Sequence, residues 1–400
     1  MSKRRRDIDN KDDLTNNENI NITKESQPTI KLVFKKKREK IDFSNLEIKT
    51  LDDLINLAKK YDSNNEYSIN LEKLHNLLPS LIKLKNIIGM STVKDSIVGQ
   101  IIFFLNEFDN NTDMMHTVIQ GPPGVGKTLL GKIVGELYYY MGIIKPKPKN
   151  NNNNKKRALT LDELDDELEE YMNAIKGVRG RNRSNSEGDG KEPFVFKIVK
   201  RSDLIGRYLG ETSIKTQKVL DDIEGGVLFI DEAYSLGNEE GRDSFAKECI
   251  DTLNQNLSEK KDTLLCIIAG YKDALDKCFF AQNEGLRRRF PFVYTIEKYT
   301  ADELCQIFKK MVIDMGWNAD EVPVKFFENN YKLFTNMGGD VETLFFMTKI
   351  EHGKRVLFKP EDKKKINNQD LESAFKIFKL NKDSKKSKED TDETWKSLYT

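Results

Sequence analysis

The chain has 400 residues, 38% of them hydrophobic, which is enough for a sizeable core and suits two or three domains. Its 66 Lys and Arg against 65 Asp and Glu leave a net charge of +1, so the molecule as a whole carries no electrostatic footprint that demands nucleic acid or a membrane. No apolar run has the length of a membrane span, the N-terminus lacks an apolar signal core, and Cys249, Cys266, Cys278 and Cys305 show no CxxC spacing; the expectation is reduced core thiols in a cytoplasmic or nuclear protein.

Residues 1–45 are polar, charged and Asn-rich and are expected to be a disordered tail. The tail holds two basic clusters, Lys3-Arg4-Arg5-Arg6 and Lys35-Lys36-Lys37-Arg38. Each is open to three readings: a nuclear address, a nucleic-acid contact or a solvated charge run. Residues 46–85 place Leu51, Leu54, Ile55 and Leu57, then Leu71, Leu74, Leu77 and Leu78, at helical spacing, a helical lead-in. Ile87-Ile88-Gly89-Met90 opens the next unit, and Gly89 is placed among the nucleotide-binding positions. A helix with Val93, Ile97, Ile101 and Phe104 on one face follows.

An alternation of strands and helices spans residues 86–298. Thr117-Val118-Ile119, Phe194 to Val199, Val227 to Ile230, Leu264 to Ala269 and Phe292 to Ile296 are apolar runs of strand length, with helical spacing between them. The pattern predicts an α/β fold, a parallel sheet sandwiched by helices. An insert at about 143–193 interrupts it with Lys-Pro repeats and the run Asn150 to Asn154. Inside the insert, Thr160 with Glu163 forms a capping-box pattern ahead of Leu161, Leu164, Leu168, Met172 and Ile175. That acidic amphipathic helix is open to three readings: docking a partner, packing on its own domain, or remaining solvated. Helical patterns near 301–315, 323–336, 339–357 and 368–378 predict a small all-helical domain over 299–380, with 381–400 a loose charged tail.

The chemistry concentrates in two runs. Gly121-Pro122-Pro123-Gly124-Val125-Gly126-Lys127-Thr128 fits G-x-x-x-x-G-K-[ST] in full, with a strand before it and a helix after it. Glycines let the backbone aim its N–H groups at phosphate oxygens, and the helix N-terminus adds partial positive charge. Lys127 would reach the β- and γ-phosphates of ATP, and Thr128 would ligate Mg²⁺. The second run, Gly226-Val227-Leu228-Phe229-Ile230-Asp231-Glu232, is a buried strand ending in two acids, expected beside the P-loop strand. There Asp231 would hold the Mg²⁺ water shell, and Glu232 would orient or deprotonate the attacking water. His75, His116 and His352 are scattered and read as structural, with no metal cluster beyond nucleotide-bound Mg²⁺.

These runs, with Arg201-Ser202-Asp203-Leu204-Ile205-Gly206-Arg207-Tyr208-Leu209-Gly210, Gly225 to Tyr234, Ala269-Gly270-Tyr271-Lys272 and Gly285-Leu286-Arg287-Arg288-Arg289-Phe290, resemble the CbbX/CfxQ (SpoVK-like) branch of AAA+ ATPases over about residues 87–355. The resemblance implies a P-loop NTPase sheet domain with a helical lid, a hexameric ring and ATP hydrolysis. It also implies chaperone-like remodelling of a protein substrate through a central pore; the best-known members are Rubisco activases. Tyr208 matches the pore-loop aromatic. Arg289 matches the arginine finger that meets the neighbour's γ-phosphate, with Arg287 and Arg288 alongside as alternatives. Two departures stand out. Gly270-Tyr271 occupies the place of a polar γ-phosphate sensor. The lid reads Gly338-Gly339-Asp340-Val341 with no arginine, which leaves Lys349 or Arg355 further along the helix as its nearest cations. A nucleic-acid motor or loader and a non-catalytic ATP-dependent scaffold are the alternative functions. The Asn-, Lys- and Ile-rich composition fits a divergent eukaryotic or large-DNA-virus member, in which a Rubisco role is not expected.

Overall fold

The computed structural model describes residues 40–43, 46–106, 114–145, 194–208, 210–238, 243–320, 322–358 and 363–397, with side chains to 384. The two basic clusters and the amphipathic helix of the insert lie outside the described residues.

The lead-in holds slightly more than its helices. β1 (Lys40–Ile41), which composition assigned to the tail, pairs in parallel with β2 (Glu66–Tyr67). Between them runs α1 (Leu51–Ala58), started by a capping box in which the Thr50 hydroxyl accepts from Asp53 N–H and the Asp53 carboxylate accepts from Thr50 N–H. α2 (Leu71–Asn76) and α3 (Leu78–Lys85) bury Leu71, Leu74, Leu78, Leu81 and Leu84. The following helix, α4 (Ser91–Leu105), buries the expected face of Val93, Ile97, Ile101 and Phe104.

Five parallel strands form the sheet: β3 (Thr117–Gln120), β4 (Phe196–Val199), β5 (Gly226–Ile230), β6 (Leu264–Gly270) and β7 (Phe292–Thr295), in the order β4-β5-β6-β3-β7. The helices α5 (Lys127–Tyr140), α6 (Glu211–Asp222) and α7 (Ser244–Glu259) connect them. Period-two alternation divides the two central strands between two cores. Val227, Phe229, Leu265, Ile267 and Ala269 join the core shared with the lead-in and the lid. Leu228, Ile230, Leu264, Cys266 and Ile268 join the core under α6 and α7. Burial on both faces explains why these strands read as unbroken apolar runs.

One expectation is corrected by the strand order. β5, which ends at the two acids, does not lie beside β3; β6 runs between them. Neighbouring strands are about 4.8 Å apart, so the loops beyond the strand ends, rather than adjacent strands, bring the acids to the P-loop.

The C-terminal part is helical, as the pattern predicts. It consists of α8 (Ala301–Asp314), α9 (Val324–Asn330), α10 (Met337–Val356) and α11 (Asn368–Ser397), with a small parallel pair, β8 (Asn318–Ala319) and β9 (Lys365–Ile366). The last helix departs from the expectation of a loose tail after 380. It continues to Ser397; that stretch is rich in Lys and free of Gly and Pro, the residues that most strongly stop a helix. Lys382, inside the expected tail, pairs with the buried Asp340 at 2.7 Å and donates to the Thr335 hydroxyl at 3.1 Å.

The four cysteines are unpaired, three of them buried. The three histidines are buried and hydrogen-bonded, His75 to the Ala58 carbonyl, His116 to the Leu257 carbonyl and His352 to Asp370.

Candidate nucleotide site

The loop after β3 turns through Gly124 and Gly126, at φ +70° and +84°, a region that costs other L-residues strain. Gly126 caps α5 in this left-handed conformation. The loop is tied to the neighbouring strand by Gly121 N–H donating to the Gly270 carbonyl at 3.2 Å. Lys127 is buried at the start of α5, and its ammonium donates to the carbonyls of Gly121 (3.0 Å) and Pro122 (2.9 Å). Burial lowers its pKa, while the charges of Glu232 and Asp231 pull it back up. Both carboxylates are therefore within electrostatic reach of the P-loop ammonium.

The acids sit where β5 ends. Glu232 adopts φ +52°, unusual for a residue with a side chain, and caps the short 3₁₀ turn Ala233–Leu236. That turn is fixed from both sides. Ser235 N–H donates to the Glu232 carbonyl at 2.8 Å, and Arg201 donates to the Ser235 carbonyl at 2.6 Å while pairing with Asp243 at 2.6 Å. A cavity of about 540 Å³ lies alongside, lined by Arg201, Ser202, Ile205, Asp231, Glu232 and Ser235. Glu232 Oε2 is buried with no hydrogen-bond partner.

Two tyrosines form a wall between the halves, and sequence reading gave them no role. The rings of Tyr234 and Tyr271 lie 5.6 Å apart, and the Lys127 ammonium lies 5.0 Å from the centroid of the Tyr271 ring. Both residues stand in the motifs quoted above, but nothing in their spacing says that their rings meet.

The lid reaches the same loop. Gly338 N–H, in the first turn of α10, donates to the Gly124 carbonyl at 3.0 Å. The Tyr299 hydroxyl donates to the Val125 carbonyl at 2.9 Å, and the Tyr331 hydroxyl donates to the Tyr299 carbonyl at 2.7 Å. A side chain at Gly124 would bring its Cβ to 1.9 Å from the Asn336 carbonyl oxygen. Gly89, at φ +72°, lies against Tyr299 and Glu303, so the entry to α4 also borders the P-loop.

The suggested lid cations are engaged elsewhere. Arg355 binds Asp370 at 2.8 Å, and the Lys349 ammonium lies 5.0 Å from the centroid of the Phe345 ring. At about 1.5 Å per residue the helix carries both more than 15 Å beyond Gly338.

Tyr208 stands 75% exposed on the loop before α6, whose turn is held by Arg207 N–H and Tyr208 N–H donating to the Glu211 carboxylate at 2.7 and 3.2 Å. The three arginines after Leu286 differ in their surroundings. Arg287 pairs with Asp276 and lies over Phe280; Arg289 donates to the Ser258 hydroxyl at 2.7 Å and the Gly285 carbonyl at 2.6 Å; Arg288 is exposed.

Residues 117–294 match the model of the ATPase family associated with various cellular activities (AAA). A cfxQ-like protein of Acanthamoeba polyphaga mimivirus is 38% identical over 349 residues, covering 85% of this chain and 74% of its own. The chain belongs to the CfxQ-like AAA ATPases. A CfxQ homolog of Pyropia yezoensis is 27% identical to this AAA ATPase, covering 70% of this chain and 78% of its own. The ESX-3 secretion system protein EccA3 of Mycolicibacterium smegmatis is 30% identical over 60% of this chain, but the match spans only 33% of EccA3. Membership carries nucleotide binding and, for the family in general, ATP hydrolysis. Among the described residues of this AAA ATPase, no helix is long and apolar enough to cross a membrane.

Proposed function

We propose that this chain hydrolyses ATP and works as a ring-forming motor that remodels a protein substrate. The observation that carries the reading is a buried P-loop lysine that feels the charges of two strand-end acids, which themselves line a cavity, with an exposed aromatic on a loop of the same domain. The Gly121–Thr128 backbone would cradle the phosphates, with Lys127 leaving the carbonyls of Gly121 and Pro122 to meet them. The Thr128 hydroxyl and the Asp231 carboxylate are hard oxygen donors suited to Mg²⁺, which supplies charge neutralisation on the phosphates when bound. Glu232, with one bare carboxylate oxygen, would orient the attacking water and accept its proton.

A neighbouring copy would complete the site with an arginine from 287–289. Arg289 would first have to leave Ser258 and Gly285, whereas Arg288 already faces outward. Tyr208 would grip the substrate chain, since an aromatic ring packs on a polypeptide without sequence demands.

Trapping tests the reading. Glu232→Gln held with ATP and Mg²⁺ should retain a bound protein, and that protein then serves as substrate for Tyr208→Ala. The expected result is unchanged ATP affinity with remodelling lost. Normal remodelling by Tyr208→Ala removes the pore-pulling reading. Absence of measurable ATP or ADP affinity in the wild type removes all of it.

A further inference from the structure

The entry to α10 meets the P-loop in a strained shape. Met337 is buried at φ +45°, a conformation that costs a residue with a side chain. On one side of it the Asn336 carbonyl oxygen lies where a side chain on Gly124 would stand. On the other, Gly338 N–H donates to the Gly124 carbonyl at 3.0 Å. The carbonyl and the N–H of one trans peptide point in opposite directions. A Gly124 carbonyl turned to Gly338 therefore turns the Val125 N–H away from α10, as one of the donors available to a phosphate.

An acid holds this turn in place. Asp340 is buried, and its Oδ2 accepts Asn336 N–H at 2.8 Å. The same oxygen pairs with the Lys382 ammonium at 2.7 Å, and that ammonium also donates to the Thr335 hydroxyl at 3.1 Å. Lys382 belongs to α11, 42 residues further along the chain, and so grips both the residue before Asn336 and the acid that binds it. A carboxylate left buried without its counter-charge is costly. Turning out to water relieves that cost and lets go of Asn336 N–H, which frees Met337 to relax and Gly338 to leave Gly124.

We propose that Lys382 is a positioning residue for the nucleotide site: through Asp340 it keeps the entry of α10 on Gly124, and so sets how tightly the P-loop holds phosphate. The proposal rests on the reading of Gly121–Thr128 as the phosphate cradle. It differs from a general stabilising role in where it acts. Arg355 pairs with Asp370 at 2.8 Å between the same two helices, but about 25 Å along α10 from Gly338, too far to bear on the loop.

Three variants of the full chain separate the two roles, each read by ADP affinity with Mg²⁺ and by melting temperature. Lys382→Met should weaken ADP binding about five-fold or more, whereas Arg355→Met should lower the melting temperature with affinity within about two-fold of the wild type. Asp340→Asn combined with Lys382→Met keeps an oxygen for Asn336 N–H and needs no counter-charge; it should recover affinity to within about two-fold of the wild type. Wild-type affinity in Lys382→Met overturns the proposal. An equal loss in Arg355→Met does so too, since it marks a loosened lid in general, as does a double variant that binds no better than Lys382→Met. A wild type without ADP affinity removes the cradle reading itself, and the proposal with it.

Discussion

His116 is the residue whose environment makes the sharpest demand. Its Nε2–H donates to the Leu257 carbonyl at 3.0 Å, while Nδ1 accepts Cys266 N–H at 3.1 Å. The neutral ring satisfies both partners; a second proton would set a donor against the Cys266 amide. Burial, aided by the nearby Arg289 charge and opposed by the Leu257 carbonyl, lowers its pKa from 6.5 to about 4. The unfolded chain takes up this proton near pH 6.5 and the folded one only near 4. The contribution is therefore whole above pH 6.5 and is lost as pH falls toward 4, a difference of up to about 3 kcal/mol. Urea midpoints measured across that window should fall more steeply for the wild type than for His116→Gln; parallel curves would refute the assignment. At this scale the sequence was most legible where function uses consecutive residues. A phosphate cradle is built from one stretch of backbone, so Gly121 to Thr128 could be read directly. The Tyr234–Tyr271 contact joins residues after two different strands, and no local spacing encodes it.

Among the elements, the seat of α10 on the P-loop is the most consequential. Gly338 and Gly339 are adjacent in its first turn, yet a Cβ at Gly338 would lie 2.7 Å from the Gly124 carbonyl oxygen while one at Gly339 would meet nothing within 4 Å. Replacing a helical glycine by alanine ordinarily stabilises by about 0.5–1 kcal/mol. Gly339→Ala should follow that rule in chemical denaturation, and Gly338→Ala should reverse it and weaken ADP binding by disturbing Gly124. Equal effects from the two would mean that the lid does not bear on the loop. The strands were legible because each central one is apolar on both faces, and the lid helices because their buried faces recur at helical spacing. Strand order was not, since an apolar run says that a strand is buried without saying between which neighbours; hence β6 between β3 and β5. The extent of α11 was hidden for a similar reason. Charged residues favour a solvated tail and a solvated helix alike, and what fixes its first part, the pair of Lys382 with Asp340, is tertiary.

For the whole molecule the open question is what a second copy contributes. Arg289 is engaged within its own chain, on Ser258 and Gly285, whereas Arg288 is exposed. If a ring forms, Arg288→Ala should lower hydrolysis by about ten-fold or more at concentrations that assemble, with the melting temperature unchanged. Arg289→Ala should lower stability by about 1–3 kcal/mol through its lost hydrogen bonds. Sedimentation with nucleotide, read beside the two hydrolysis rates, decides; if Arg288→Ala hydrolyses normally while assembled, the finger belongs to another residue. The sheet within each copy has a further consequence. β5 and β6 contain no charged residue, and a nascent chain bearing two such segments invites intermolecular β-pairing before they are enclosed. Lys260, Lys261 and Asp262 precede β6, and Asp231 and Glu232 follow β5. The strand-end acids thus stand as gatekeepers against aggregation during synthesis, so neutralising them touches the solubility of the newborn polypeptide as well as the chemistry of the finished one.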